Sequence, residues 1–201
     1  MKNKYFTTKR ISSIAIMSAI AGLLMLIDFP ISFIAPSFYK LDISDLPCLI
    51  GTFALGPIAG VIIETLKILI KLVLKPTSTA FVGELSNLLC GVALCVPAGL
   101  VYKKHHNKKG AIKGLIVGSI SYIFIGALIN YFITIPAFVS LYNIPLEAII
   151  SMGAEIFPFI TSKFSFVCSC VALFNLVKTL IISVLTYLLY KRISPLLKAK
   201  E

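Results

Sequence analysis

The sequence predicts an all-α integral membrane protein with six transmembrane helices, and three observations carry that reading. Hydrophobic residues make up 58% of the 201-residue chain and charged residues 13%, with a mean hydropathy of +0.98, outside the range of a soluble globular domain. The apolar residues gather into runs on the scale of a membrane-crossing helix, which needs about 20 of them. The net charge of +11 is held in short basic segments flanking those runs, a pattern that sets topology rather than one that tracks nucleic-acid phosphates. Residues 1–201 read as one membrane domain.

The first span, 11–28, follows Lys2, Lys4, Lys9 and Arg10. Ala19-Ile20-Ala21 imitates a signal-peptide cleavage site, but the apolar run continues through Leu26 and Ile27, so an uncleaved helix is expected. One face of it is nearly free of bulk, with Ala15 and Ala19 four apart and Ser12, Ser18 and Gly22 nearby. Such a face admits another helix closely, either a partner's or one from the same bundle, and the spacing leaves both open.

The second and third spans, 44–56 and 57–75, divide at Gly56-Pro57, because proline lacks an amide donor and disfavours helix in the residue before it. Reading 46–74 as one span, with 144–160 as the missing one, would place Lys103, Lys104, Lys108, Lys109 and Lys113 outside. The positive-inside rule rejects that arrangement. Glu64 and Lys67 lie three apart and are expected to form a structural ion pair rather than to bind ligand, while Lys71 and Lys75 reach towards the outer interface.

Spans 81–102, 111–136 and 164–191 complete the set and leave both termini cytoplasmic, the last flanked by Lys191, Arg192, Lys198 and Lys200. Three segments then face outward: 29–44, 75–80 and 136–163. The first and last are long and apolar, which suits a lid over a ligand site, or alternatively interfacial anchoring by their Tyr and Phe residues.

Lys178 is the residue that most demands explanation. A charge at mid-bilayer costs about 2.5–3.5 kcal/mol on insertion scales, and such groups face a bundle interior, a partner or a ligand. Asn175 lies one helical turn before it, Asn130 near the outer end of the fifth span and Glu155 in the last outer segment. Together they supply amide donors and acceptors, a carboxylate and an ammonium. Interhelical hydrogen bonding explains one asparagine more readily than the whole set.

The remaining chemistry is sparse. The five cysteines, Cys48, Cys90, Cys95, Cys168 and Cys170, fall in apolar stretches without metal-ligand or redox spacing and read as buried thiols. His105 and His106 share one basic loop and read as solvated. The chain has no G-x-x-x-x-G-K-[ST] loop, no H-E-x-x-H helix and no G-x-S-x-G elbow, so neither ATP hydrolysis nor a membrane enzyme is expected. No metal or resident cofactor is called for.

Several stretches taken together resemble the substrate-binding S component of energy-coupling factor (ECF) transporters, most closely the riboflavin-specific type. They are Ala15-x-x-x-Ala19, Leu41-Asp42-Ile43-Ser44-Asp45-Leu46-Pro47, Gly56-Pro57-Ile58-Ala59-Gly60, Gly83-Glu84-Leu85-Ser86-Asn87, Asn130-Tyr131 and Asn175-Leu176-Val177-Lys178. The resemblance spans most of the chain. It implies a six-helix subunit of the cell membrane that captures riboflavin from outside and delivers it by associating with a transmembrane coupling protein and two ATP-binding cassette ATPases. It further implies that Ala15 and Ala19 contact the coupling protein, and that Leu41, Asp42, Asn130, Glu155, Asn175 and Lys178 line the flavin site.

Riboflavin suits such a site chemically, offering a flat apolar ring, a polar edge of alternating donors and acceptors, and a chain of hydroxyls. The alternatives are an S component for thiamine, folate or pantothenate, a small membrane-embedded enzyme, and a channel or scaffold. The last is disfavoured because the polar set gathers at one end.

Overall fold

A computed structural model describes residues 7–197, so that Lys2, Lys4, Lys198 and Lys200 of the topological argument lie outside the described residues. Helix α1 spans Thr8–Leu24. The segment after it carries a minimal antiparallel pair, β1 (Phe29–Pro30) with β2 (Lys40–Leu41), in which Phe29 faces Leu41. Helices α2 (Asp45–Leu55) and α3 (Pro57–Leu74) follow, then α4 (Val82–Lys104) and α5 (Lys108–Ile129).

Gly56 separates α2 from α3 at φ 99°, a backbone region open to glycine but strained for residues with a Cβ. Its N–H caps α2 on Thr52 O at 2.9 Å, and Pro57 starts α3 where a missing N–H costs nothing. Helix α2 has 11 residues, about 16 Å at 1.5 Å per residue, and is too short to cross about 30 Å of hydrocarbon alone. Its first turn therefore begins inside the bundle, and this is what buries Asp45.

Helix α5 is capped by Asn107, whose side chain accepts from Gly110 N at 2.8 Å. It runs on through a π-helical turn, Asn130–Thr134, into α6 (Ile135–Tyr142), a continuous apolar helix of 35 residues. Asn143, at φ 52°, ends it. Helix α7 (Leu146–Ala154) comes next, and α8 (Lys163–Phe166) joins α9 (Ala172–Leu197) through a second π turn, Val167–Val171. The outer segment 136–163, expected as a long loop, is thus largely helical. Its apolar positions pack instead of lying open, with Ile149 and Ile160 each 2% exposed.

Among the described residues three continuous helices are long and apolar enough to cross a membrane: Val82–Lys104, Lys108–Tyr142 and Lys163–Ile193. Helix α5 packs most extensively on α4. A Cβ at Gly114 or Gly118 would sit 2.7 Å from the carbonyl oxygen of Ala98 or Leu94, the close backbone approach that small residues four apart permit in membranes. Helix α1 packs on α3 and α2, and α9 on α2 and α5.

Two apolar clusters result. One joins α1 to α5 and α9 and ends in Phe53, Tyr102 and Tyr190. The other joins the segment after α1 to α6, α7 and the second π turn, with Ala35, Phe166, Cys170 and Val171 at its centre. Outward faces are rich in exposed apolar side chains, among them Ile16, Val73, Phe124 and Leu180. That distribution suits a hydrocarbon solvent. Four cysteines are buried as expected, but Cys168 is exposed, since it lies on the face of the π turn opposite Cys170.

Candidate functional site

Between the two clusters lies a chain of buried charges. Lys67 Nζ meets Asp45 Oδ1 at 2.5 Å and Glu64 Oε2 at 2.6 Å, and donates to Asn87 Oδ1 at 3.2 Å. The other Asp45 oxygen is 3.4 Å from Lys178 Nζ, which donates to Asp42 Oδ2 at 2.9 Å. Asp42 Oδ1 accepts from the Ser44 amide at 2.9 Å and from the Ser44 hydroxyl. Three carboxyl groups thus share two ammonium groups, contributed by the segment after α1, α2, α3 and α9. Lys67, Glu64 and Asp45 are 0% exposed and Lys178 2%. Removing such charges from water costs several kcal/mol each, which only close pairing and hydrogen bonding offset.

The Glu64–Lys67 pair expected from the three-residue spacing is present, and Asp45 extends it to Lys178. The partner of Lys178 is a carboxylate from the first outer segment, which no local spacing announces.

Asn130 and Asn175 meet across Gly126. The Asn130 amide donates to Gly126 O at 2.8 Å, and a Cβ at Gly126 would lie 2.5 Å from Asn175 Nδ2. That nitrogen is buried and has no hydrogen-bond partner among the described residues. Unpaired buried donors are uncommon and call for explanation. Asn130 also opens the first π turn, a distortion that recurs at functional sites.

Tyr39 covers this pair from the first outer segment, its hydroxyl donating to Asn130 Oδ1 at 2.7 Å. Its ring lies 5.6 Å from that of Phe174 and 4.7 Å from that of Phe38. Desolvation there raises the phenol pKa, so the hydroxyl keeps its proton and its role as donor. Leu41, 2% exposed, packs beneath the same segment.

Beside the charges lies a cavity of about 410 Å³. Asp42, Lys71, Thr79, Glu84 and Asn87 give it a polar side, and Phe38, Phe138, Tyr142 and Met152 an apolar one. Lys71, expected at the outer interface, turns inward to Glu84 at 2.5 Å. Thr77 and Thr79 hydroxyls each donate to the other Glu84 oxygen at 2.9 Å. These two threonines also accept from Phe81 N and Gly83 N, holding Ala80 and Phe81 at φ 46° and 67°. Left-handed backbone at residues with a Cβ is costly and gathers at functional sites.

Of the residues read from the sequence, Leu41, Asp42, Asn130, Asn175 and Lys178 thus come together around the base of the first outer segment. Glu155 does not join them: it is exposed at the C-terminal end of α7. Sequence reasoning missed Tyr39, Lys71, Thr79 and Glu84. Glu84 and Asn87 stood inside a recognised stretch without a role, and their three-residue spacing, which puts both on one face of α4, was the available signal. Ala15 and Ala19 are exposed, whereas Ser18 and Gly22 of the same helix are buried.

Comparisons with known proteins agree with this architecture. The profile of a family described as the ECF transporter substrate-specific component matches residues 9–190. The riboflavin transporter RibU of Staphylococcus aureus (strain TCH60) is 33% identical over 195 residues, covering 94% of this chain and 93% of that protein. The riboflavin transporter FmnP of Bacillus subtilis (strain 168) is 24% identical over 188 residues, 93% of each. A solved structure, described as the S component of a bacterial ECF transporter, superposes with a TM-score of 0.74 at 33% identity, covering 95% of this chain and 98% of that one. By the extent of the match and the shared fold, this chain belongs to the family of substrate-specific components of ECF transporters.

Proposed function

We propose that this chain is the high-affinity riboflavin-binding subunit of an ECF-type vitamin uptake transporter, and not an enzyme. It is read as a six-helix membrane bundle with both termini in the cytoplasm, delivering its cargo by associating with a coupling protein and two ATP-binding cassette ATPases. The relatives' names support riboflavin, since the match runs along nearly the whole length of both proteins.

The single observation that carries the site is the buried polar group of Asp42, Asn130, Asn175 and Lys178, with an orphaned amide at Asn175, whose Asp42 lines a cavity of about 410 Å³. Small-molecule sites run from about 300 to 1,000 Å³ and pair apolar walls with a few placed polar groups. In this reading Asn175 and Lys178 bind the polar edge of the flavin ring and Asn130 exchanges its bond with Tyr39 for one with ligand. Leu41 and Asp42 close over the ring, and Glu155 stands at the rim. Mass spectrometry and absorbance of the detergent-purified chain test this: bound riboflavin and a yellow sample are expected. Thiamine, folate or pantothenate in its place would overturn the substrate assignment.

The exposure of Ala15 and Ala19 favours a partner over internal packing. Replacing both by Leu is expected to abolish uptake by the assembled transporter while leaving riboflavin binding to the isolated subunit within about twofold, because bulk there blocks a neighbouring helix. A parallel loss of binding would show that the face packs within this chain.

Orientation is tested by thiol labelling. In a variant lacking Cys168, the exposed native cysteine, Lys104→Cys should resist an impermeant reagent in intact cells and Ser37→Cys should react. Asn107 is the poorer probe site because its side chain caps α5. Labelling at Lys104→Cys from outside would invert the topology.

A further inference from the structure

A second cavity, of about 420 Å³, runs along the membrane-facing seam of α5 and α9 and shares no lining residue with the first. On α5 its wall extends from Ile112 to Ile123, and on α9 from Leu176 to Leu188. At 1.5 Å per residue these walls are about 16–18 Å long, close to half of the roughly 30 Å hydrocarbon thickness. That is the depth of one leaflet, and so of one lipid acyl chain. The lining is apolar apart from Tyr187 and hydroxyls such as Ser119 and Ser183, which bond each other at 3.2 Å across the seam. The serine and threonine hydroxyls of the groove floor are thereby satisfied within the protein, and Tyr187 stands at the end near Lys191.

The charge lies at one end. Lys108 and Lys109 precede Ile112 by one turn at the start of α5, and Lys191 follows Tyr187 and Leu188 by one turn on α9. Because the two helices are antiparallel, all three fall at the same mouth of the groove. Helical spacing of three or four residues keeps each near the groove face. All three are exposed, and no ion pair among the described residues engages them. Helix α5 also begins there, with a partial positive charge of its own. An apolar trough one leaflet deep that opens onto three unpaired ammonium groups is complementary to one kind of molecule, a phospholipid with an anionic headgroup. Basic pockets between transmembrane helices hold such headgroups.

We propose that the α5–α9 groove holds an acyl chain of an anionic phospholipid whose headgroup is engaged by Lys108, Lys109 and Lys191. The proposal is independent of which vitamin the chain binds.

The chain has no tryptophan, so Tyr187→Trp places a single tryptophan on the groove wall, which can be excited apart from the tyrosines. In vesicles of phosphatidylcholine doped with brominated lipid, brominated phosphatidylglycerol should quench this tryptophan at a mole fraction at least about fivefold lower than brominated phosphatidylcholine does. The preference should weaken in high salt and disappear when Lys108, Lys109 and Lys191 are all changed to Gln. These are exposed positions whose replacement leaves the core intact. A Val73→Trp probe on the lipid face of α3, 85% exposed, should show no preference. Equal quenching by the two lipids at Tyr187→Trp would overturn the proposal. So would a tryptophan shielded from both in a chain that cross-links to itself across α5 and α9, since a second copy would then be the occupant.

Discussion

Replacing Lys67 by Met is expected to be the most destabilising single substitution in the polar interior, at about 3–5 kcal/mol, the cost of removing one partner from a buried ion pair. Lys67 is the shared neighbour of Asp45 and Glu64, all three without solvent exposure. Without it, Glu64 is left with no ammonium partner and Asp45 depends on Lys178 alone, which already serves Asp42. The variant should lose its monodisperse peak in detergent at a markedly lower temperature than the parent. Adding Glu64→Gln and Asp45→Asn should restore much of the loss by removing the uncompensated charge. Lys104→Ala, at the exposed C-terminal end of α4, should shift the midpoint little. A Lys67→Met chain as heat-resistant as the parent would mean that the carboxyl groups do not depend on this ammonium.

The second large effect concerns binding. If Asn175 and Lys178 contact the flavin edge, Asn175→Ala and Lys178→Met should each weaken riboflavin by about tenfold or more, since an unpaired buried polar group costs about 1–3 kcal/mol and more when charge is involved. Riboflavin fluorescence titrated with each purified variant reads this directly. The two variants separate different contributions. Asn175 Nδ2 has no partner to lose within the protein, so its removal should alter affinity with little change in heat resistance. Lys178 also anchors Asp42 and Asp45, so Lys178→Met should cost both, and Lys178→Arg should recover stability more fully than affinity. Unchanged affinity in both Asn175→Ala and Lys178→Met, with folded protein, would mark the pair as structural and move the site towards Lys71 and Glu84.

The same residues show what local sequence determines. The Glu64–Lys67 pair follows from three-residue spacing on a helix, because the helical period fixes which side chains are neighbours before any tertiary contact forms. The break at Gly56 follows equally from local chemistry, since proline and a positive φ are properties of the two residues concerned. That Lys178 needs a partner was also legible, because a lone ammonium in an apolar helix is too costly to leave bare.

Which partner it takes was decided only by the tertiary structure. Asp42 lies 136 residues away along the chain, and Tyr39 reaches Asn130 across 91. Contacts of that separation depend on how helices cross and on where a short helix such as α2 begins, and no local period encodes either. The same holds for α1, where Ala15 and Ser18 lie only three apart yet the first is exposed and the second buried. Composition defined a face that another helix can approach closely. The contact of α1 with α3, where Gly22 lets Ile70 come close, covers Ser18 and Gly22 but stops short of Ala15 and Ala19.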